Sequence, residues 1–498
     1  MTATNILLIM ADQFRYDAIG AHGNPAIRTP GLDRLVDSGT TFSRAYTESP
    51  VCVPARACLL TGRLPHQTGV VDNHTPLAAG TATFARDLTA AGYLTQAIGK
   101  MHFEPVRADH GFTDMALSEE IPARLADDDY LSELVDAGYG HVLEPHDVRH
   151  ELYYSPQPSQ LPEQLTTTAW TGRKTVEFIG ARAAEPEQPW FCFTSFIKPH
   201  PPFDPPSPWY LDYDPLDMPD PVRSAAELEQ ADYHHAAQHR VKWTRPDESL
   251  DRIRTMRAYY YACVSFVDAQ INAILDELDR HGMRENTLVV FTADHGEYLG
   301  DHWAFGKRGF HDAAARIPLV LSQPGSVPCG RTTDALVGLT DVAPTCLAAA
   351  GLRDTAVAAD GTDLAPLARG EVSRLRDLHY GQYQENEQGL YFVTDGTYKY
   401  VYSAASHREQ LFLVGSAHDD TVDLAADPAH ATALARLRAA IVERYWADGY
   451  LAPLDGSAWR HWPPPPLPHP PDDRDAAGRG RQYPHWSTVG PHRRGGVQ

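Results

Sequence analysis

Over its first three-quarters the chain alternates buried-strand patterns with helical ones. Residues 5–11 (NILLIMA) are an apolar run of the length of a strand buried on both faces, and the run stops at Asp12. Residues 94–98 predict a short strand ending at Gly99-Lys100. Residues 190–197 predict an apolar strand running into Lys198-Pro199-His200, and residues 287–292 a buried strand ending at Ala293-Asp294-His295. Residues 317–322 and 335–339 read as further strands. Between them, apolar positions recur at helical spacing over 30–38, 83–91, 166–180 and 251–281, and another helix starts from Asp341. This alternation predicts an α/β fold: a large, mostly parallel sheet with helices on both faces. Residues 201–245 are Pro-rich, then rich in Asp, Glu and His, and read as a long loop beside the pocket.

The pattern changes near residue 375. Residues 389–394 and 398–403 flank Asp395-Gly396, a strong hairpin signal, with a third strand over 410–414 and an amphipathic helix over 428–445. The expected organisation is a catalytic α/β domain over 1–372, a small C-terminal antiparallel α+β subdomain over 373–450, and a Pro/Gly/Arg-rich extended tail over 451–498. The tail cannot build a core of its own. Its Tyr483, His485, Trp486, Arg493 and Arg494 are expected to reach a neighbouring subunit of a homo-oligomer.

At 498 residues, 43% hydrophobic and 22% charged, the chain has the composition of a soluble globular protein with a large core. A formal charge of -22 argues against nucleic acid as a partner, since phosphate backbones reward clustered Lys and Arg. No stretch approaches the apolar length of a membrane span, and the apolar run at residues 6–10 lacks the basic flank of an export signal, so a cytoplasmic location is expected. Five of the six cysteines read as reduced, buried thiols; Cys52 is set apart below.

Asp12, Lys100, His200 and Asp294-His295 all lie just past a predicted strand. In an open α/β sheet such ends share one edge, so these groups should converge on one crevice. Asp12, Asp294 and His295 offer oxygen and nitrogen ligands for a divalent cation. Arg56, Lys100 and Lys307 supply positive charge, and His102 and His200 are candidates for acid and base. Singly, each has a plainer reading: an Asp at a strand end caps a helix, a Lys is a solvated surface group, a His beside Pro is a turn residue. Their shared placement favours a site.

The segment Pro50-Val51-Cys52-Val53-Pro54-Ala55-Arg56, continuing through Gly62-Arg63, resembles the signature of the type I sulfatases of the alkaline phosphatase superfamily. Gly92 to His102 (GYLTQAIGKMH) is similar to that family's second signature. In this family the Cys of Cys-x-Pro-x-Arg becomes formylglycine. Val53 departs from the pattern, where a smaller residue is usual. Gln13 departs from the paired Asp of many sulfatases and resembles the Asp-Gln of phosphonate monoester hydrolases.

The resemblance implies an alkaline-phosphatase-like fold and hydrolysis of a small-molecule sulfate ester. It implies maturation of Cys52 by a formylglycine-generating enzyme. It also implies a divalent metal (Ca2+ first, with Mg2+ or Mn2+ as alternatives) held by Asp12, Gln13, residue 52, Asp294 and His295. By the same resemblance Arg56 holds the aldehyde hydrate, Lys100 and Lys307 grip the sulfate, and His102 deprotonates the hydrate. His200 and Lys307 serve the leaving group, and Asn73 contacts the sulfate. Two other readings stand beside this one: phosphonate monoester or phosphodiester hydrolysis by the same groups, and a binding protein without turnover.

Overall fold

The computed structural model describes residues 3–468 apart from 123, 143–144, 147–152, 242–248, 353–354, 356, 358–359 and 416–419. The tail residues singled out above lie outside the described residues.

Eight strands form the main sheet: β1 (Asn5–Ala11), β2 (Thr40–Tyr46), β3 (Leu94–Gly99), β4 (Asp114–Leu117), β5 (Trp190–Phe196), β6 (Thr287–Ala293), β7 (Leu319–Ser322) and β8 (Arg331–Gly338). Their order is β4-β3-β5-β1-β6-β7-β2-β8. β1 is central, in parallel register with β5 on one side and β6 on the other. Ile6 to Ala11 are fully buried, and a buried Ile, Leu or Met side chain contributes about 1.5–3 kcal/mol. The sheet departs from parallel at β7, which runs antiparallel to both β6 and β2.

The covering helices are α1 (Pro30–Asp37), α2 (Cys52–Thr61), α3 (Phe84–Ala90), α4 (Thr167–Arg182), α5 (Leu250–Arg280) and α6 (Val342–Ala349). They pack in two sets, α1 and α4 on α5, and α2, α3 and α6 on one another. Helix starts follow local chemistry: the Ser249 hydroxyl accepts from Arg252 N–H at 3.3 Å, and Thr166 accepts from Ala169 N–H at 3.3 Å.

A second, antiparallel sheet has the order β12-β11-β10-β9. Its strands are β9 (His379–Tyr383), β10 (Leu390–Thr394), β11 (Tyr398–Ser403) and β12 (Arg408–Leu413), and α7 (Ala431–Ala447) packs on β10 and β11. The hairpin turns at Asp395-Gly396, with Gly396 at φ +80 and Asp395 Oδ1 accepting from the N–H groups of Thr397 and Tyr398. Trp459, beyond the expected end of this unit, stacks on Tyr402 at 4.4 Å and closes its core.

Several elements differ from expectation. Residues 201–245 are not one loop: Ala225–Glu229 and Tyr233–Val241 are helical, the first opened by a capping box of Ser224 and Glu227. β2 (TTFSRAY) was not expected, because its polar residues break the apolar run. α2 was not expected either. All its residues except Val53 are buried, so it carries no polar face to set up a helical period.

Candidate active site

The adjacent parallel strands β3, β5, β1 and β6 end on one edge, and each delivers a chemical group there. Asp12 and Gln13 follow β1, Lys100 follows β3, His200 comes four residues after β5, and Asp294-His295 follow β6. Gly99 is required at the exit from β3. It sits at φ +90, and a Cβ there would lie 2.1 Å from the Ser195 carbonyl oxygen. The close approach lets Lys100 N–H reach that carbonyl at 2.9 Å.

Cys52 opens α2 over this edge and is 1% exposed. Its Sγ lies 2.7 Å from Lys307 Nζ, 3.3 Å from His295 Nε2, 3.7 Å from Asp12 Oδ1 and 3.9 Å from Lys100 Nζ. One turn on, Arg56 bridges the carboxylates. It lies 3.3 Å from Asp12 Oδ2 and 3.2 Å from Asp294 Oδ2, and donates to Lys100 O at 2.6 Å and Ser195 Oγ at 2.9 Å. Lys100 Nζ in turn sits 2.5 Å from Asp12 Oδ2 and 2.5 Å from Glu120 Oε2. Buried charge survives only when paired this closely.

These pairings set the protonation states. Burial and the Asp12 charge push the Cys52 thiol up, but Lys100, Lys307 and His295 outweigh them and hold it well below the ordinary thiol value. Burial raises Asp12, yet Lys100 and the other cations hold it well below the usual carboxylate range. Asp294 is raised, by burial first and then by the charge of Asp12. His200 is pushed down to about 4, mainly by burial, with Lys307 and Lys100 adding to it and Glu120 opposing. It is therefore neutral near pH 7.

The donor set fits a divalent cation. One ligand atom each of Asp12, Cys52, Asp294 and His295 lies within 4.8 Å of the others, and all four residues are buried. The Nδ1 of His295 faces its neighbour Gly296 O at 3.0 Å; donating there leaves Nε2 as the lone-pair ligand on the cluster side. Gln13 donates its amide N–H to Glu297, and its buried Oε1 has no hydrogen-bond partner among the described residues. A buried carbonyl oxygen without a hydrogen-bond partner is a further oxygen donor that a cation can satisfy.

The other expected residues fall further out. Asn73 Oδ1 accepts from Val53 N–H at 3.0 Å, in the first turn of α2. Val53 packs against Ala57, Val70 and Leu77, which accounts for a larger side chain at that position. No hydrogen bond joins the His102 ring to Cys52 among the described residues. The ring lines a cavity shared with Arg56 and Met101, its Nδ1 buried and unpartnered. His200 holds Nδ1 on Pro201 O at 2.7 Å, and its Nε2 faces Glu120 Oε1 at 3.4 Å without hydrogen-bond geometry. Of the aromatic residues at 153–154, 209–210 and 383, Tyr153 approaches His200 at 6.3 Å, while Trp209 and Tyr210 pack on Phe266 and Tyr259 of α5.

Sequence reasoning missed Glu119, Glu120 and Glu297. Glu119 accepts from the N–H groups of Met101 and His102 and so shapes the chain after Lys100. Glu119 and Glu120 follow β4, whose four residues (DMAL) carry too little pattern to be recognised as a strand. Glu297 stands two residues past His295 and was within reach of the same reasoning.

The Sulfatase family pattern matches residues 4–352, and a second, described as N-sulphoglucosamine sulphohydrolase, C-terminal, matches residues 300–443. An arylsulfatase of Clostridium perfringens is 30% identical over 454 residues, covering 86% of this chain and 90% of the relative. A choline-sulfatase of Rhizobium meliloti is 29% identical, covering 86% and 82%. Among solved structures, the phosphonate monoester hydrolase of Silicibacter pomeroyi superposes with a TM-score of 0.77 at 26% identity, covering 89% of this chain and 95% of that one.

Proposed function

Because this chain belongs to the sulfatase family and is a sulfuric ester hydrolase, we propose that it cleaves R–O–SO3 esters with a hydrated formylglycine, made from Cys52 and held against a divalent cation. The carrying observation is the setting of residue 52: a buried helix-start position ringed by Lys307, His295, Asp12 and Lys100 within 3.9 Å of Sγ.

The Sγ atom stands in for one hydroxyl of the aldehyde hydrate. Asp12, Asp294, His295 and the Gln13 carbonyl would hold the cation, an oxygen-rich set that suits Ca2+, with Mg2+ and Mn2+ as alternatives. When bound, such an ion acts as a Lewis acid and lowers the pKa of a hydroxyl held beside it.

The chain's own groups do the rest. The hydroxyl gives up its proton to solvent and its oxygen forms a bond to sulfur as the sulfur–oxygen bond to the alcohol breaks, and the departing alkoxide takes a proton from the Lys307 ammonium. Lys100 and Lys307 stabilise charge on the transferred group. His200, neutral and without a proton on Nε2, orients rather than donates. The second hydroxyl then loses its proton to His102, the carbonyl re-forms as the carbon–oxygen bond to sulfate breaks, sulfate leaves, water rehydrates the aldehyde, and the proton on His102 returns through solvent to Lys307.

Gln13 and the phosphonate monoester hydrolase neighbour support a second reading, phosphonate monoester hydrolysis by the same groups. Comparison of kcat/KM for an aryl sulfate and an aryl phosphonate monoester separates them. The sulfate is expected to lead; a lead for the phosphonate transfers the assignment, and no turnover of either overturns both.

A further inference from the structure

Gln13 is tied down at every polar atom but one. It is 1% exposed and sits at φ +63, a backbone conformation that a non-glycine residue keeps where its surroundings enforce it. Its backbone N–H donates to Asp294 Oδ1 at 3.0 Å, and its backbone carbonyl accepts from the Tyr260 hydroxyl of α5 at 2.9 Å. The side-chain Nε2 donates to Glu297 Oε2. Only Oε1 is left, buried and without a hydrogen-bond partner among the described residues.

Glu297 determines which end of that amide is left over. A primary amide has an acceptor end and a donor end, and a cation can use only the oxygen. Glu297 is fully buried, and its two oxygens have separate duties. Oε1 accepts from the backbone N–H groups of Leu299, at 3.0 Å, and Gly306, which leaves Oε2 for Gln13. Arg15 donates to the Glu297 backbone carbonyl at 2.8 Å but pairs its charge with Asp17 and Asp301. A carboxylate buried in this way is costly without a positive charge nearby, and a cation taken up by the far end of the Gln13 amide offsets that cost. The carboxylate in turn draws on the amide N–H and raises electron density at Oε1, as carboxylates do behind metal-bound imidazoles.

We propose that Glu297 is a positioning residue for the cation: it turns the Gln13 amide so that oxygen rather than nitrogen is presented, and it strengthens that oxygen as a ligand. The inference rests on the reading of Asp12, Gln13, Asp294 and His295 as cation ligands. Glu297→Gln keeps the shape of the side chain and reverses its instruction. The two backbone N–H groups still demand an oxygen, so the new NH2 faces Gln13. Gln13 must then accept with Oε1 and present its own NH2 to the site. Exchanging the two residues (Gln13→Glu with Glu297→Gln) restores the same hydrogen bond with donor and acceptor reversed, and leaves a carboxylate oxygen for the cation.

The test is calorimetric titration of full-length, chelator-treated protein with Ca2+, Mg2+ and Mn2+ in turn, with thermal unfolding of the metal-free form measured alongside. Glu297→Gln is expected to weaken cation binding ~10–100-fold. The exchanged double variant is expected to return it to wild-type strength or above. A role in packing alone would lower metal-free stability in Glu297→Gln, and the change at position 13 would not repair binding. Should Glu297→Gln fail to fold by itself, the double variant decides, by regaining both fold and affinity or not. Unchanged affinity in the single variant, or no recovery in the double, would overturn the role of Glu297 and leave the cation site standing. Wild type that takes up none of the three ions would overturn both.

Discussion

At the scale of single residues, what decides behaviour is whether a buried polar group has a partner. Arg56 succeeds because two carboxylates, a carbonyl and a hydroxyl surround its guanidinium. His379 is the opposite case. It is 2% exposed between Tyr46 and Phe392, its Nε2 has no partner among the described residues, and burial first, then Arg376, pushes it down to about 3. The unfolded chain therefore binds a proton that the folded protein refuses. The stability this contributes is present above pH 6.5 and is lost as pH falls toward the folded value. Urea unfolding of wild type and His379→Phe between pH 6.5 and about 4 should show wild type falling more steeply, by up to ~1.4 kcal/mol per pH unit. Parallel curves would contradict this.

Among the elements, legibility followed exposure pattern. β1, β5 and β6 were readable as largely apolar runs, and the groups past their ends were found together where topology placed them. α2 was invisible as a helix because burial all round removes the apolar stripe, although its Cys52 and Arg56 were legible through the motif resemblance. β4 was too short and polar to recognise, and with it went Glu119 and Glu120. The sharpest constraint is at the end of β3, where Gly99 meets Ser195 O. Gly99→Ala must push β3 away from β5 or twist the Lys100 backbone. Because the site needs Lys100 within hydrogen-bond reach of Asp12, displacement of about 1 Å should cost ~100-fold in kcat/KM. It should also cost more than ~1 kcal/mol in stability, read by thermal unfolding. Unchanged kcat/KM would show that the exit from β3 is not held by this contact.

Across the whole molecule, the α/β architecture and the small antiparallel unit were both legible, because periodicity and the Asp395-Gly396 turn act locally. The cavity lined by His235, His302 and His311 was not: His235 stands far from the other two in sequence, and only folding brings it beside them. The account of activity rests on residue 52 being an aldehyde in the working enzyme. Mass spectrometry of the tryptic peptide ending at Arg56, from protein whose aryl sulfatase turnover has been measured, tests this directly. The expected spectrum carries formylglycine at position 52 in proportion to activity across preparations, and Cys52→Ala is inactive. Fully active enzyme carrying an unmodified thiol at that position would contradict the account.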